Sequence, residues 1–321
     1  MTTSPLLRFL VAAVATALCA TVQAQSWPAK PIRWIVPFPP GGSTDIATRP
    51  VADRVGQALG VSSVVENRAG AGGNIGTEAV AKSAPDGYTL LVTADTIAAN
   101  PQLYKLAWDP FRDFVPVIQL ARQPVVLAVH PSLGVNSVAE LVALAKREPG
   151  LGYATSGAGS QQHMAAEWFA SIAGIRLTHV PYKGGGQAIT DLVGGQVKVG
   201  SLGSSPVIPH YKAGKLKILA QTTKARAPSL QEVPTYEEAG VKGLVLDQWL
   251  GVFVPAGTPP EIVTRLNAEV GKALAEAPIR ERYAQAALEP VGGTPGEFAQ
   301  LVRDDYAKYG RLIRELGIKV D

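Results

Sequence analysis

The chain alternates short apolar segments with amphipathic ones, and this alternation constrains its fold more than any other feature of the sequence. Nine segments have the length and composition of buried strands, namely 32–37, 61–65, 89–93, 115–120, 125–129, 151–155, 177–180, 197–202 and 217–222. Helical patterns separate many of them. Because strands that alternate with helices form parallel sheets covered on both faces, the sequence predicts an α/β fold with doubly wound sheets.

Several helix boundaries are marked in the sequence. A serine or threonine precedes a glutamate by three positions at Ser137, Thr258 and Thr294, which is the pattern of a capping box. Pro50 lies within the predicted helix that follows residues 37–45. Since proline removes a helical hydrogen bond, we expect it to kink this helix or to shift its start.

The length of 321 residues favours about two domains. Two apolar runs within 114–130 are separated by the more polar stretch 121–124, which indicates a passage from one domain into another. A return near 222–227 would enclose a central domain of about 100 residues. The predicted organisation is therefore a discontinuous domain 1 of residues 25–123 and 225–321, and a domain 2 of residues 124–224. Two such crossings act as a hinge, and ligands favour the cleft between hinged domains.

Residues 1–24 have the features of a secretory signal peptide. Arg8 supplies the positive charge, residues 9–20 are apolar, and small residues precede Gln25, so we expect cleavage before Gln25. The apolar run is shorter than the roughly 20 residues that a membrane-spanning helix needs. Cleavage would remove Cys19, which is the single cysteine. Because the residue before Cys19 fits a lipoprotein cleavage site poorly, a lipid anchor is the minor alternative.

Charge and motif patterns exclude several functions. Basic residues exceed acidic ones by only four, and they are spread along the chain, so we expect no nucleic-acid partner. The four histidines are dispersed without HExxH spacing, and neither a GxSxG nor a Walker motif is present. The sequence therefore predicts no metal, no cofactor and no catalytic residue. A hydrolase built from a serine, His163 and an aspartate is the weakest alternative.

Three glycine-rich loops carry the functional signal. Each follows a predicted strand and opens a predicted helix: the first glycine loop is 37–45, the second is 155–160 and the third is 182–187. Glycine lets the backbone approach a ligand, and the amides at a helix N-terminus favour an anion. The second loop also approaches a dinucleotide fingerprint, but Gln162 replaces its third glycine. An ordinary strand-to-helix turn with a good cap is the alternative for the first loop.

Candidate ligand-binding residues lie on these loops and on neighbouring strand ends. They are Phe38, Gly41, Gly42, Thr44, Asp45, Thr93, Thr96, Thr155, Ser156, Gly159, Ser160, His163, Tyr182, Gly185, Gly186, Ser201 and Ser204. We expect Asp45 to stabilise the first turn of its own helix. Trp249 fits either core packing or the wall of the cleft. Together the loops predict a cleft that holds a carboxylate through amide donors and helix dipoles.

Seven ordered segments resemble the substrate-binding proteins of tripartite tricarboxylate transporters, the Bug/TctC family. They are 27–32, 36–45, 65–76, 84–90, 180–186, 209–215 and 254–259. The resemblance implies a two-domain periplasmic binding protein of the type II, Venus-flytrap class. It also implies that the first glycine loop and an opposing loop of domain 2 grip a carboxylate through main chain and water. The implied protein is a monomer in the periplasm, and its partners are a large and a small integral membrane subunit.

One departure from the family pattern bears on the ligand. Many relatives carry an acidic residue in the strand that corresponds to 197–202, whereas this chain has small residues at 200–205. A buried ammonium needs an acceptor or an anionic partner. We therefore expect a carboxylate without an α-amino group, such as a dicarboxylate, a tricarboxylate or an aromatic acid like nicotinate. A sensor domain that delivers its ligand to a signalling protein is the alternative function.

Overall fold

The computed structural model describes residues 27–320. The predicted signal peptide 1–24 and its cleavage site lie outside these residues. The ten strands are β1 Ile32–Val36, β2 Ser63–Asn67, β3 Thr89–Ala94, β4 Phe114–Val129, β5 Leu151–Thr155, β6 Leu177–Pro181, β7 Val199–Gly203, β8 Lys217–Gln221, β9 Asp247–Pro255 and β10 Glu289–Gly292. The helices are α1 Ser43–Leu59, α2 Asn74–Ala81, α3 Thr96–Ala99, α4 Val138–Arg147, α5 Gln161–Ala173, α6 Gly185–Val193, α7 Ser204–Lys212, α8 Pro260–Ala275, α9 Ala277–Gln285 and α10 Pro295–Glu315.

The strands form two groups, and the long strand β4 belongs to both. In lobe 1, β1 pairs in parallel with β2 and β3, and β9 runs antiparallel between β3 and β4. Strand β10 adds an antiparallel partner to residues 119–122. In lobe 2, residues 125–129 pair antiparallel with β7 and β8, and β5 lies in parallel between β6 and β7. The predicted two-domain α/β fold is confirmed.

The passage between the lobes differs from the prediction in its detail. Residues 121–124 are not a linker, because they pair with β9 and β10 and continue into the ladder of lobe 2. Within this stretch, Arg122 also forms an ion pair with Glu289 of the neighbouring strand β10, at 2.6 Å. Strands β9 and β10 were not predicted, and they make the sheet of lobe 1 mixed rather than purely parallel.

The segment after β8 packs on lobe 2. Tyr236, Val241 and Leu244 are buried in one cluster with Phe169 of α5. The backbone N–H of Tyr236 donates to the carbonyl of Gln221 at 3.0 Å, which ties this segment to the end of β8. The domain boundaries at 124 and 225 stay a prediction.

Helix α1 passes through Pro50 without a break. It begins at Ser43 and ends at Leu59, where Gly60 adopts a left-handed conformation and caps it. The expected shift of its start is therefore wrong. Its buried face packs against the sheet of lobe 1 through Ala47, Val51 and Val55. This packing fixes the N-terminus of α1 at the carboxyl end of β1.

Within residues 27–320, no helix combines the length and apolar character that crossing a bilayer requires.

Candidate functional site

The N-terminus of α1 offers amide donors. Gly42 is its N-cap, and no side chain of the described chain caps it. The first intrahelical bond runs from the Ile46 N–H to the Gly42 carbonyl at 3.0 Å. The N–H groups of Ser43 and Thr44 precede that bond, and helix geometry provides no acceptor for them. The first glycine loop thus presents the positive end of a helix.

Asp45 holds this loop in shape. Its carboxylate accepts from the Gly41 N–H at 3.0 Å, from Arg49 at 2.7 Å and from Asn67 at 3.0 Å. Burial acts to raise the pKa of Asp45, but the hydrogen bonds from Arg49, Gly41 and Asn67 hold the pKa below its ordinary value. The charge of Asp45 is therefore compensated by the first glycine loop, by Arg49 of α1 and by Asn67 of β2. Its predicted roles in ligand binding and in the first helical turn stay predictions.

The N-terminus of α6 faces that of α1 from the other lobe. Gly184 is the N-cap, again without a capping side chain in the part of the chain that is described. The first helical bond is that of Ala188 to Gly184, so the amides of Gly185 and Gly186 precede it. A Cβ built on Gly42 would lie 3.6 Å from the Gly186 nitrogen and 3.7 Å from the Gly185 nitrogen. Two uncapped helix N-termini therefore meet across the lobes.

A cavity of about 30 Å³ lies at this meeting point. Its walls are Phe38, Gly42, Ser43, Thr44, Ala94, Thr96, Ser156, Gln162, Gly185, Gly203, Pro206 and Gln248. Among these described residues no side chain carries a charge. The volume corresponds to about two water molecules, so a larger ligand requires the lobes to separate.

Six of the predicted residues line this cavity, and six lining residues were not predicted. The predicted ones are Phe38, Gly42, Thr44, Thr96, Ser156 and Gly185. The others are Ser43, Ala94, Gln162, Gly203, Pro206 and Gln248. Gln248 lies on β9, a strand that the sequence analysis missed. Gln162 follows the second glycine loop, and its position in the first turn of α5 was the available signal.

The second glycine loop uses its amides internally. The Gly157 N–H donates to Thr155 Oγ1 at 3.1 Å, and the Gly159 N–H donates to His163 Nδ1 at 3.1 Å. Ser160 Oγ caps α5 by accepting from the His163 N–H at 3.2 Å. These groups stabilise the loop, and Ser156 is its contribution to the cavity wall.

His163 and His179 form a stacked pair beneath this loop. Their ring centroids are 3.8 Å apart with an interplanar angle of 12°. Burial lowers the pKa of His163 to about 4, and burial together with His163 lowers the pKa of His179 to about 3. Both rings are thus neutral near pH 7. Because Nδ1 of His163 accepts from an amide, this nitrogen serves loop structure rather than activation of a serine.

Two predicted serines lie behind the cavity wall. Ser201 Oγ donates to the carbonyl of Gln162 at 2.8 Å. Ser204 Oγ donates to the carbonyl of Ala287 at 3.2 Å. Both hydroxyls are buried and have protein acceptors, so in this structure they support the wall rather than form it.

Three further residues also stand apart from the cavity. Tyr182 donates its hydroxyl to Asp191 at 2.7 Å, on the flank of α6. Thr93 is buried in β3. Trp249 is 2% exposed, and its Nε1 donates to Asp305 at 2.7 Å, which assigns it to the core. The binding role of Tyr182 and Thr93 stays a prediction.

A larger cavity of about 750 Å³ lies beside the crossing strands. It is bounded by 122–124 of β4, 223–229, Asp247 and residues of α9 and β10. None of the three glycine loops contributes to it, and its charged wall includes the Arg122–Glu289 ion pair. We place the candidate site in the smaller cavity because amide donors from both lobes converge there.

Two α/β lobes that share crossing strands and close on a cavity lined by main-chain donors define a solute-binding receptor. Comparison with known proteins agrees. Residues 47–318 match the model of the tripartite tricarboxylate transporter family receptor, TctC. This chain belongs to that family.

Individual relatives cover nearly the whole chain. The chain is 38% identical to BugT of Bordetella pertussis over 96% of each protein. It resembles the structure of Rpa4515 of R. palustris with adipate, at 38% identity and a TM-score of 0.89, covering 91% of this chain and 99% of that one. It also resembles MatC of Rhodopseudomonas palustris with bound malate, at 31% identity and a TM-score of 0.84, covering 89% of this chain and 100% of that one.

Proposed function

We propose that this protein is a periplasmic receptor that captures a small organic carboxylate between its lobes. It then delivers the ligand to the large and small membrane subunits of a tripartite tricarboxylate-type transporter. The observation that carries the proposal is the meeting of two uncapped helix N-termini at Gly42 and Gly185. The export step rests on the predicted signal peptide 1–24, with cleavage before Gln25, and the receptor acts as a monomer.

The grip on the ligand is electrostatic and comes from the main chain. Each helix N-terminus carries a partial positive charge of about half an elementary charge. Amide hydrogen bonds to a charged group contribute about 1.5–3 kcal/mol each. Two N-termini that converge on one carboxylate therefore supply charge compensation without an arginine or lysine.

The ligand class follows from the cavity wall and the relatives. Adipate and malate, named in the structures of two relatives, are dicarboxylates without an α-amino group. The described wall of this cavity contains hydroxyls, amides and an aromatic ring but no carboxylate. A ligand ammonium would be left without an anionic partner, which is costly in a buried site. We propose that the receptor selects carboxylic acids without an α-amino group over aspartate and glutamate.

Binding is coupled to movement of the lobes. Since the cavity has room for about two waters, the ligand enters an open form and the lobes close over it. A ligand that contacts both lobes binds the closed form better and shifts the population toward it. The crossing strands β4 and β9 are the elements about which the lobes move.

A panel of acids tests the ligand class. Thermal shifts measured with adipate, malate, citrate, nicotinate, aspartate and glutamate should show stabilisation by one or more acids of the first group. Stabilisation by aspartate or glutamate alone would overturn the proposed class. Native mass spectrometry of protein purified without denaturation identifies a ligand outside the panel. Uptake of that ligand by a strain lacking this protein tests delivery, and unchanged uptake would contradict it.

Two neighbouring glycines give a matched test of the site. A Cβ on Gly186 would lie 2.3 Å from the Pro40 carbonyl oxygen, which is backbone of the other lobe. A Cβ on Gly185 would lie 3.8 Å from its nearest neighbours, an ordinary contact. Gly186→Ala should therefore weaken binding about tenfold or more, because the lobes cannot meet. Gly185→Ala should weaken it less. Equal calorimetric affinities for the two folded variants would refute this site.

A further inference from the structure

Behind the cavity, the hydroxyl of Tyr309 is surrounded by three buried polar side chains. Gln161 donates to it from Nε2 at 2.8 Å. Oδ2 of Asp305 lies 3.1 Å from it, and Oδ2 of Asp95 lies 3.3 Å from it. The exposed fractions are 0% for Tyr309 and Gln161, 1% for Asp95 and 5% for Asp305. Every polar group here therefore needs a partner within the protein.

The count of protons around Tyr309 decides the charge state of one carboxyl group. The hydroxyl has one proton and can donate it to only one carboxylate. The Gln161 amide is a donor and cannot supply an acceptor at Nε2. If the hydroxyl shared its proton between both carboxylates, two anions would lie against one buried hydroxyl, which is costly. The favoured arrangement therefore has one aspartate protonated and donating to the tyrosine oxygen.

The surroundings identify Asp305 as the anion. Its Oδ1 lies 2.8 Å from Nζ of Lys308, and its Oδ2 accepts from Trp249 Nε1 at 2.7 Å. Asp95 has neither contact. Among the residues described, no hydrogen bond of ordinary geometry reaches Oδ1 of Asp95, although the Gln248 side chain is near enough to favour the ionised form. The additional proton therefore belongs on Asp95.

Electrostatics agree with this geometry. Burial raises the pKa of Asp95 well above its ordinary value, and the nearby charge of Asp305 raises it further. Lys308, Tyr309 and Gln248 act in the opposite direction but do not outweigh burial. On the crossing strand β9, Asp247 has a pKa raised by burial, with Arg122 and Lys308 opposing the rise.

The cluster bridges the two lobes. Tyr309 and Asp305 lie on α10 and Asp95 ends the turn after β3, all in lobe 1, whereas Gln161 is the first residue of α5 in lobe 2. Gln161 Nε2 also donates to the Asp247 carbonyl at 3.0 Å. Because Gln161 belongs to the other lobe, a separation of the lobes at this point would break both of its bonds and admit water to Asp95. The next residue after Asp95 is Thr96, which lines the cavity.

We propose that Asp95 is a proton-binding site coupled to closure, so that the closed form holds one proton that the open form releases. Closing is then most favourable below the pKa that Asp95 has in the open form. The equilibrium constant for closing falls about tenfold per pH unit between the pKa of Asp95 in the open form and its pKa in the closed form. Above the closed-form pKa this constant no longer changes with pH. Ligand affinity follows the same curve, and this last step rests on the proposed function.

A disulfide lock allows a test without ligand. A chain that begins at Gln25 contains no cysteine. A Cβ on Gly185 would lie 3.8 Å from the Gly42 Cα, a separation suited to a disulfide between Gly42→Cys and Gly185→Cys. Oxidation holds the double variant closed, and reduction releases it. Carboxyl ¹³C NMR of aspartate-labelled protein then reports the charge of Asp95, with Asp95→Asn to assign its signal.

In the oxidised form the Asp95 carboxyl should stay protonated to a higher pH than in the reduced form, by at least about one pH unit. The same titration in both forms, or a lower titration in the oxidised form, would overturn the proposal. Failure of the disulfide to form would contradict the closed contact itself.

A binding experiment separates this proposal from the function proposed above. With adipate or malate as probe, whichever stabilises the protein, the wild-type affinity should fall as pH rises through the titration range of Asp95. Asp95→Asn should bind with an affinity that changes less than about twofold over that range. Asp304 is exposed on α10, the helix that carries Asp305 and Tyr309. As a control, Asp304→Asn should keep the wild-type pH profile. If neither acid binds, the proposed ligand class fails while the NMR result stands on its own.

Discussion

Three glycines of similar sequence context have different roles at the residue scale. Gly186 lets two helix N-termini approach, because a Cβ there would lie 2.3 Å from the Pro40 carbonyl oxygen, whereas a Cβ on Gly185 would make only ordinary contacts. Gly159 has a φ of +76°, and its amide is engaged by His163. A Cβ on Gly159 would also lie 2.4 Å from Cδ1 of Leu103 in lobe 1, so a substitution there perturbs both the loop and the approach of the lobes. Sequence alone does not distinguish these cases, since all three lie in loops of the same composition.

The neutral state of His163 gives the protein a pH-dependent stability. The pKa of this ring is lowered by burial to about 4, below the ordinary value of 6.5. Its contribution to stability is fully present above pH 6.5 and is lost as the pH falls toward 4. Between pH 7 and pH 5 the free energy of unfolding should fall by about 1–2 kcal/mol from this group. In His163→Asn, an acceptor remains for the Gly159 amide but position 163 no longer titrates, while His179 is retained in both proteins.

Urea unfolding at pH 7 and pH 5 measures this effect. The wild type should lose more stability between the two pH values than His163→Asn does. Equal losses in the two proteins would show that the buried ring does not resist protonation.

At the scale of single elements, the N-termini of α10 and α8 show how far the capping-box pattern predicts the structure of a helix start. The capping box of α10 is present as predicted, since Thr294 and Glu297 exchange side-chain to backbone bonds of 3.2 and 2.7 Å. At α8 the same pattern fails. Thr258 donates its hydroxyl to the Pro255 carbonyl instead, and Pro259 is the N-cap. The serine or threonine pattern predicts a helix start, but the preceding turn decides which acceptor the hydroxyl finds.

Loss of the α10 cap should destabilise the whole protein. Thr294→Ala should lower the free energy of unfolding by about 1 kcal/mol, because the Glu297 amide loses its acceptor and the Glu297 carboxylate loses the Thr294 hydroxyl. Thr264→Ala is the matched change on the exposed face of α8, where the hydroxyl bonds only to the Pro260 carbonyl within its own helix. It should alter stability by less than about 0.5 kcal/mol. Equal effects in urea unfolding would contradict the role of the cap.

The failure to predict strand β9 has a physical reason. Strand β9 begins with Asp247 and Gln248 and contains Gly251, so it lacks a continuous apolar run. Gly251 is required because the ring of Phe298 packs on its backbone, where a Cβ would lie 2.0 Å from Cζ. The contact with Phe298 therefore requires glycine at position 251, although glycine is unfavourable in a strand. With β9 unpredicted, Gln248 could not be assigned to the site, whereas the apolar runs of β1, β3 and β5 sufficed to predict those strands.

At the scale of the whole molecule, the crossing strands determine how the lobes move. Strand β4 runs unbroken from Phe114 to Val129. Up to Pro124 it pairs with β9 and β10, and from Val125 onward it pairs with β7 and β8. An extended strand without a loop bends over few residues. The lobes are therefore expected to open as rigid bodies about this point.

Small-angle X-ray scattering tests this movement. A compact chain of this length has a radius of gyration of about 20 Å. Ligand-free wild type should exceed the value of the oxidised Gly42→Cys and Gly185→Cys double variant. Saturation with the stabilising acid should bring the wild type to the value of the locked protein. Identical profiles in all three states would mean that the lobes do not separate.

The donors at the meeting point of α1 and α6 belong to the main chain, and this has a consequence for how such a receptor diversifies. Substitutions other than those to proline leave the backbone N–H in place, so we expect the attraction for one carboxylate to survive most changes elsewhere in the wall. The side chains of Ser156, Gln162 and Gln248 line the same cavity. Altering these few wall positions is therefore the expected route by which a designer would retarget the receptor.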